Sequence, residues 1–183
     1  MVWKVLQRIA RAGLVSEPAP DIGDEIDLEA ARIQREMLSI LGQALTIREV
    51  DAGSCNGCEL EIGALGNPYY NLEGLGIRFV ASPRHADMLL VTGPVSRHMA
   101  VALRRTYDAA PEPRLVVAVG ECACDGGVFG QSYATCGPVS SVLPVDVTVP
   151  GCPPEPIDIL RGILQAVRRR VGAPTVKARP VTG

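Results

Sequence analysis

The sequence has 183 residues, of which 47% are hydrophobic and 4% aromatic, and its formal charge is −2. This length and apolar content suffice for one compact domain with a buried core, and the near-neutral charge excludes the strongly basic surface typical of nucleic-acid binding. Since no apolar run approaches the roughly 20 residues of a membrane-spanning helix, the chain is expected not to cross a bilayer.

Residues 1–20 are predicted to form a short amphipathic helix and a linker that contains Pro18 and Pro20. The apolar positions of this helix are Val2, Val5, Leu6 and Ile9. The stretch has neither the apolar core nor the cleavage site of a signal peptide. Two interpretations stay open: the helix packs on its own domain, or it docks on a partner subunit or a membrane surface.

From residue 21 to residue 171, predicted strands alternate with predicted helices. A first helix covers residues 27–43, with Asp27 as its N-cap. Five short aliphatic segments are predicted strands: residues 44–50, 77–82, 86–93, 114–120 and 145–149. Two further helices are predicted over residues 96–109 and 155–170. This order predicts a single α/β domain, a flavodoxin-like parallel sheet with helices on both faces, followed by a C-terminal tail over residues 172–183.

Six cysteines are the main chemical signal, at positions 55, 58, 122, 124, 136 and 152. Cys55 and Cys58 form a Cys-x-x-Cys pair after the first predicted strand, Cys122 follows the fourth strand and Cys152 follows the fifth. In a parallel sheet the carboxyl ends of the strands share one edge, so these thiols are expected to meet there. Metal or redox chemistry is therefore favoured over a disulfide framework.

Three kinds of site are consistent with a Cys-x-x-Cys pair: zinc, a redox dithiol and an iron–sulfur cluster. Zinc often uses two such pairs, and this chain has one. A thioredoxin-like dithiol needs its pair to open a helix in a fold with a cis-proline, and it leaves Cys122 and Cys152 without a role. Four thiolates on separate loops, with glycines beside them, suit a four-iron cluster. The zinc and dithiol alternatives remain open at this stage.

Four motifs carry a family resemblance: REVDAGSCNGCELEI, SPRHADMLLVTGP, GECACDGGVFG and PVDVTVPGCPPEP. Together they closely resemble the small, cluster-bearing subunit of membrane-bound group 4 [NiFe] hydrogenases. More distantly, they resemble the subunit of NADH:quinone oxidoreductase (complex I) that holds the last cluster before quinone. The match runs from about Ile47 to about Arg169. The complex I subunit has two adjacent cysteines where Asn56 and Gly57 intervene here, which favours the hydrogenase.

The resemblance implies that Cys55, Cys58, Cys122 and Cys152 ligate one [4Fe–4S] cluster. It selects Cys122 over Cys124, and Cys136 is expected to be a small, buried hydrophobe or a residue that supports the ligands, not a ligand itself. It also implies an electron-transfer subunit of an oxidoreductase complex, between a ferredoxin-like iron–sulfur subunit and a [NiFe] large subunit that holds the catalytic centre. The complex would include antiporter-like membrane subunits, with this chain peripheral on the cytoplasmic side of the inner membrane. The alternative is the terminal cluster subunit of a complex I-like quinone oxidoreductase.

Glu61 lies three residues after Cys58, where the complex I relatives also carry a glutamate. Two interpretations stay open: the carboxylate could tune the potential of the cluster or couple its reduction to proton uptake, or it could be a solvated or paired residue of a helix. The two histidines, His85 and His98, are expected not to be metal ligands.

Overall fold

The computed structural model describes Arg32, Arg35 and residues 44–171. The predicted N-terminal helix, its linker and the C-terminal tail lie outside the described residues. Of the helix predicted over residues 27–43, only Arg32 and Arg35 are described, and both are helical.

Five strands form one parallel sheet, as predicted. They are β1 (Leu45–Asp51), β2 (Ile77–Phe79), β3 (Met88–Thr92), β4 (Leu115–Val119) and β5 (Val147–Val149). Their spatial order is β2-β1-β3-β4-β5, so the flavodoxin-like order is confirmed. Every residue of β3 and β4 is buried, which is the pattern of parallel strands covered on both faces.

Four helices are found in residues 44–171: α1 (Gly57–Ala64), α2 (Arg97–Ala109), α3 (Glu121–Cys124) and α4 (Pro156–Val171). The predictions of α2 and α4 are confirmed, and Ser96 caps α2 by accepting a hydrogen bond from the Met99 amide at 3.2 Å. The sequence pattern did not predict α1 and α3, because each is short and begins inside a cysteine motif. Three short 3-10 turns complete the regular structure: Leu72–Leu75, Pro83–His85 and Val139–Ser141.

Apolar side chains cover both faces of the sheet. On one face, side chains of α1 and α4 pack against Met88 and Leu90 of β3. On the other face, Leu103 of α2 packs with Leu89 and Val91 of the same strand. The prediction of one α/β domain with helices on both faces is therefore confirmed. None of the helices in the described part of the chain is long and apolar enough to cross a membrane.

Backbone hydrogen bonds tie together the loops at the carboxyl edge of the sheet. The Ala52 amide donates to the Thr92 carbonyl at 3.0 Å, which joins the end of β1 to the end of β3. The Gly120 amide donates to the Val149 carbonyl at 2.8 Å, which joins the end of β4 to the end of β5. These bonds hold the segments that carry the cysteine motifs in fixed register at one edge.

Candidate functional site

The four cysteines predicted as ligands lie at this carboxyl edge. Cys55 is in the loop after β1, Cys58 is in the first turn of α1, Cys122 is in α3 after β4, and Cys152 is in the loop after β5. The thiol of Cys58 is close enough to the other three to be affected by the charge of each. The topology has therefore gathered thiols from three separate loops into one region.

Glycines keep the space beside these sulfur atoms open. A Cβ on Gly120, whose φ is +89°, would lie 2.6 Å from Cys58 Sγ. A Cβ on Gly127, whose φ is +51°, would lie 2.9 Å from Cys122 Sγ. Both distances are too short for a real contact, so neither position accommodates any other residue without displacing a thiol. Four thiols with open space beside them fit the donor set of an iron–sulfur cluster.

Burial and neighbouring charges raise the pKa of two of these thiols, those of Cys58 and Cys122. Burial, followed by the charge of Glu59, raises the pKa of Cys58 to about 12. Burial also raises the pKa of Cys122, with Cys152 as the next cause. A reactive dithiol instead requires a lowered pKa, because the thiolate is the nucleophile. A metal displaces the proton of each thiol that binds it, so binding by Cys58 and Cys122 would depend on pH.

The Cys-x-x-Cys pair does open a helix, since α1 begins at Gly57, and the Cys152–Pro153 peptide bond is cis. Both features were expected of a thioredoxin-like site. However, Cys122 and Cys152 lie beside the pair, whereas a simple dithiol has no use for them. The dithiol alternative is therefore weakened by the two additional thiols, whose charges act on Cys58.

Among the described residues, no three Cys, His, Asp or Glu side chains are grouped closely enough to hold a metal ion of any kind. Zn–S bonds of about 2.3 Å at tetrahedral angles require sulfur atoms about 3.8 Å apart. A four-iron cluster is a larger object and spaces its thiolates more widely. The two kinds of site therefore differ in the sulfur–sulfur distances that they require.

The two remaining cysteines have different surroundings. The Cys124 thiol donates towards the Val149 carbonyl at 3.5 Å and the Ala118 carbonyl at 3.7 Å, and burial raises its pKa to about 11. Cys136 is partly buried and packs against the core on the α2 face. Both residues thus have contacts within the fold: Cys124 with backbone carbonyls and Cys136 with core side chains.

Glu59 is a feature of this site that the sequence pattern did not reveal. Its Oε1 atom accepts a hydrogen bond from Ser54 Oγ at 2.7 Å and another from Thr92 Oγ1. Its Oε2 atom is buried and has no hydrogen-bond partner among the described residues. Two features of the sequence point to Glu59: it directly follows Cys58, and a threonine stands at the end of the central strand β3. Glu61, the residue singled out from the sequence, is half-buried in α1.

The two histidines of the chain are both exposed. His85 is exposed in the 3-10 turn Pro83–His85, where its backbone carbonyl accepts a hydrogen bond from Thr46 Oγ1 at 2.5 Å. His98 is exposed in the first turn of α2.

Comparison with known families gives a match over residues 55–166 to the model described as NADH ubiquinone oxidoreductase, 20 Kd subunit. Two curated relatives show the kinds of protein that this chain resembles. The chain is 42% identical to a probable membrane-bound hydrogenase subunit of Pyrococcus furiosus, over 73% of this chain and 80% of that one. It is 51% identical to an NADH-quinone oxidoreductase subunit of Desulfovibrio desulfuricans, over 59% of this chain and 58% of that one.

A solved structure agrees with these sequence relatives. A chain of the membrane-bound sulfane sulfur reductase, described as an archaeal respiratory membrane complex, superposes with a TM-score of 0.60 and 30% identity. The superposition covers 73% of this chain and 77% of that chain. The same fold is thus found in relatives that carry different names and belong to different complexes.

Proposed function

Because this chain belongs to the family of the NADH ubiquinone oxidoreductase 20 kDa subunit, we propose that it is an electron-transfer subunit that holds one [4Fe–4S] cluster. The expected resemblance to hydrogenase and complex I subunits is confirmed by the relatives from both groups, and the chain is an oxidoreductase subunit. The cluster, its ligands and its electron partners are all parts of the proposal.

The convergence of four thiols at one sheet edge carries the proposal. Cys55, Cys58, Cys122 and Cys152 are the proposed ligands, because they come from three loops that the sheet brings together. Cys124 is left out because its thiol is directed at backbone carbonyls of β4 and β5. A bound cluster would supply a site for one electron at a time.

The chain itself holds and orients that group. Backbone hydrogen bonds fix the ends of β4 and β5 next to each other, so Cys122 and Cys152 are presented from a rigid base. Gly120 and Gly127 leave room beside the thiols of Cys58 and Cys122. Rigid ligands reduce the reorganisation that accompanies a change of oxidation state, which favours fast electron transfer.

The proposed path leads from a ferredoxin-like iron–sulfur subunit to a [NiFe] large subunit. The hydrogenase relative supports this assignment, as does the Cys-Asn-Gly-Cys spacing around Asn56 and Gly57. The proposed location is the cytoplasmic side of the inner membrane, where the chain would be peripheral and adjacent to antiporter-like membrane subunits. The named membrane complexes of its relatives support the association with a membrane.

A second candidate is the terminal cluster subunit of a complex I-like quinone oxidoreductase. It is favoured by the 51% identity to the NADH-quinone oxidoreductase relative, although the chain spans only 58% of that relative. The two candidates share the cluster and differ in the large subunit that accepts the electron.

The decisive experiment is anaerobic purification of the complete complex, followed by metal analysis and electron paramagnetic resonance (EPR). A chain-specific cluster contributes about four irons and four sulfides, and a signal that appears on reduction. Nickel in the large subunit supports the hydrogenase, and a nickel-free complex that reduces quinone supports the second candidate. Stoichiometric zinc in place of this cluster would overturn both.

A further inference from the structure

The two ends of the Cys-x-x-Cys loop are each braced by a carboxylate. At the start of the loop, Asp51 Oδ1 accepts hydrogen bonds from the amides of Gly53 at 2.7 Å and Ser54 at 2.8 Å. At its end, Glu59 Oε1 accepts from the Ser54 hydroxyl at 2.7 Å and from the Thr92 hydroxyl. Ser54 Oγ in turn accepts from the Asn56 amide at 3.1 Å. Hydrogen bonds to ionised acceptors are among the stronger ones in proteins.

Of these contacts, those made by Glu59 reach beyond the loop. Thr92 is the last residue of the central strand β3, and it is fully buried. A buried hydroxyl without a partner is costly, so its bond to Glu59 is a strong local constraint. The same carboxylate oxygen therefore ties the loop residue Ser54, the helix α1 and the sheet to one point.

The sheet also limits this loop sterically. Gly93 follows Thr92 with a φ of +73°, and a Cβ there would lie 2.4 Å from the Ser54 amide nitrogen. The backbone before Cys55 thus rests directly on the backbone after β3. The backbone contact at Gly93 and the hydrogen bonds to Glu59 Oε1 therefore restrict the movement of Cys55 and Cys58.

We propose that Glu59 is the positioning residue of this ligand set: its Oε1 atom clamps the Cys-x-x-Cys loop to the end of β3, one residue along the chain from Cys58. This inference rests on the proposed cluster function. Net charge and the surroundings of the sulfurs set the potential of an iron–sulfur cluster, so the carboxylate lowers the reduction potential by opposing the added electron. The role falls to Glu59 because it contacts both Ser54 and Thr92.

Substitutions in the anaerobically purified complex distinguish two effects of Glu59: the hydrogen bonds that hold the loop, and the charge of the carboxylate. Glu59→Gln keeps an oxygen acceptor but removes the charge, and we expect a positive shift of the reduction potential in an EPR-monitored titration. Thr92→Val removes the sheet-side donor but keeps the charge. We expect it to change the EPR line shape and to speed iron loss to a chelator several-fold, with a smaller shift of potential.

Two further variants make the assignment falsifiable. Glu73→Gln is the matched control, because this exposed carboxylate lies in the 3-10 turn Leu72–Leu75, and we expect wild-type potential and iron loss. Glu61→Gln tests the competing carboxylate of the same helix. A shift from Glu61→Gln equal to that from Glu59→Gln, or wild-type EPR and iron retention in Thr92→Val, would overturn the proposal. A wild-type complex without iron bound to this chain would instead overturn the cluster function itself.

Discussion

Replacing Gly120 with alanine tests whether the open space beside Cys58 is required for cluster binding. Gly120 has φ +89° and ψ 153°, a backbone conformation that is nearly restricted to glycine. Forcing another residue into such a region costs about 1–3 kcal/mol. The new Cβ would also lie 2.6 Å from Cys58 Sγ, whereas ordinary contact begins at 3.4 Å.

The displacement of the sulfur atom is the larger consequence. To restore ordinary contact, Cys58 Sγ must move by about 0.8 Å, from 2.6 Å to 3.4 Å. Ligand sets tolerate errors of about 0.5 Å before function suffers. We therefore expect Gly120→Ala to lose most of the iron of this chain, or to release it to a chelator at least tenfold faster than wild type.

Gly130→Ala is the matched control. Gly130 also has a positive φ, of +52°, but a Cβ there would meet no atom within 4 Å. This variant incurs only the backbone cost of about 1–2 kcal/mol and should keep wild-type iron. The assay is iron and sulfide per chain with the EPR signal of the reduced complex, alongside the melting temperature. Full iron content and an unchanged signal in Gly120→Ala would refute the steric reasoning.

Three further predictions concern the ligand register and the core. Cys122→Ser should abolish or strongly alter the EPR signal while Cys124→Ser keeps it, and the reverse result would mean that the register is wrong. Gly162→Ala places a Cβ 2.2 Å from Val149 Cγ2, so overpacking should cost about 1–3 kcal/mol of unfolding free energy. Val149→Ala should recover part of that loss in a double-mutant cycle, and additive effects would contradict the contact. Leu90→Ala, at a fully buried position of β3, should cost about 3–5 kcal/mol in denaturant unfolding, and a loss below about 1 kcal/mol would contradict its place in the core.

The strands and the two long helices followed from the sequence, because their signals are local. The apolar runs in β3 and β4 and the periodic spacing in α2 and α4 reflect burial, which the order of apolar and polar residues indicates directly. The edge of the sheet that gathers the cysteines also followed, since parallel strands place their carboxyl ends together. No comparable local pattern marks α1 or α3, which are eight and four residues long.

The role of Glu59 could not be predicted from the sequence pattern, for a different reason. Its two hydroxyl partners, Ser54 and Thr92, lie on opposite sides of it along the chain, and Thr92 is 33 residues away. Such a contact depends on the register between β1 and β3, which pairs Asp51 with Thr92. The family resemblance led to Glu61, whereas the three-dimensional contacts single out Glu59, two residues before it.

The order of the strands has a consequence for when the four thiols of a newly made chain can come together. The cysteine loops follow β1, β4 and β5, and β5 is the last strand of the described sheet and lies at its edge. A chain interrupted before β5 lacks Cys152, and one with a wrongly paired sheet separates its thiols. The four thiols therefore come together only when the whole described sheet has paired, so uptake of the proposed cluster would depend on correct folding of the sheet.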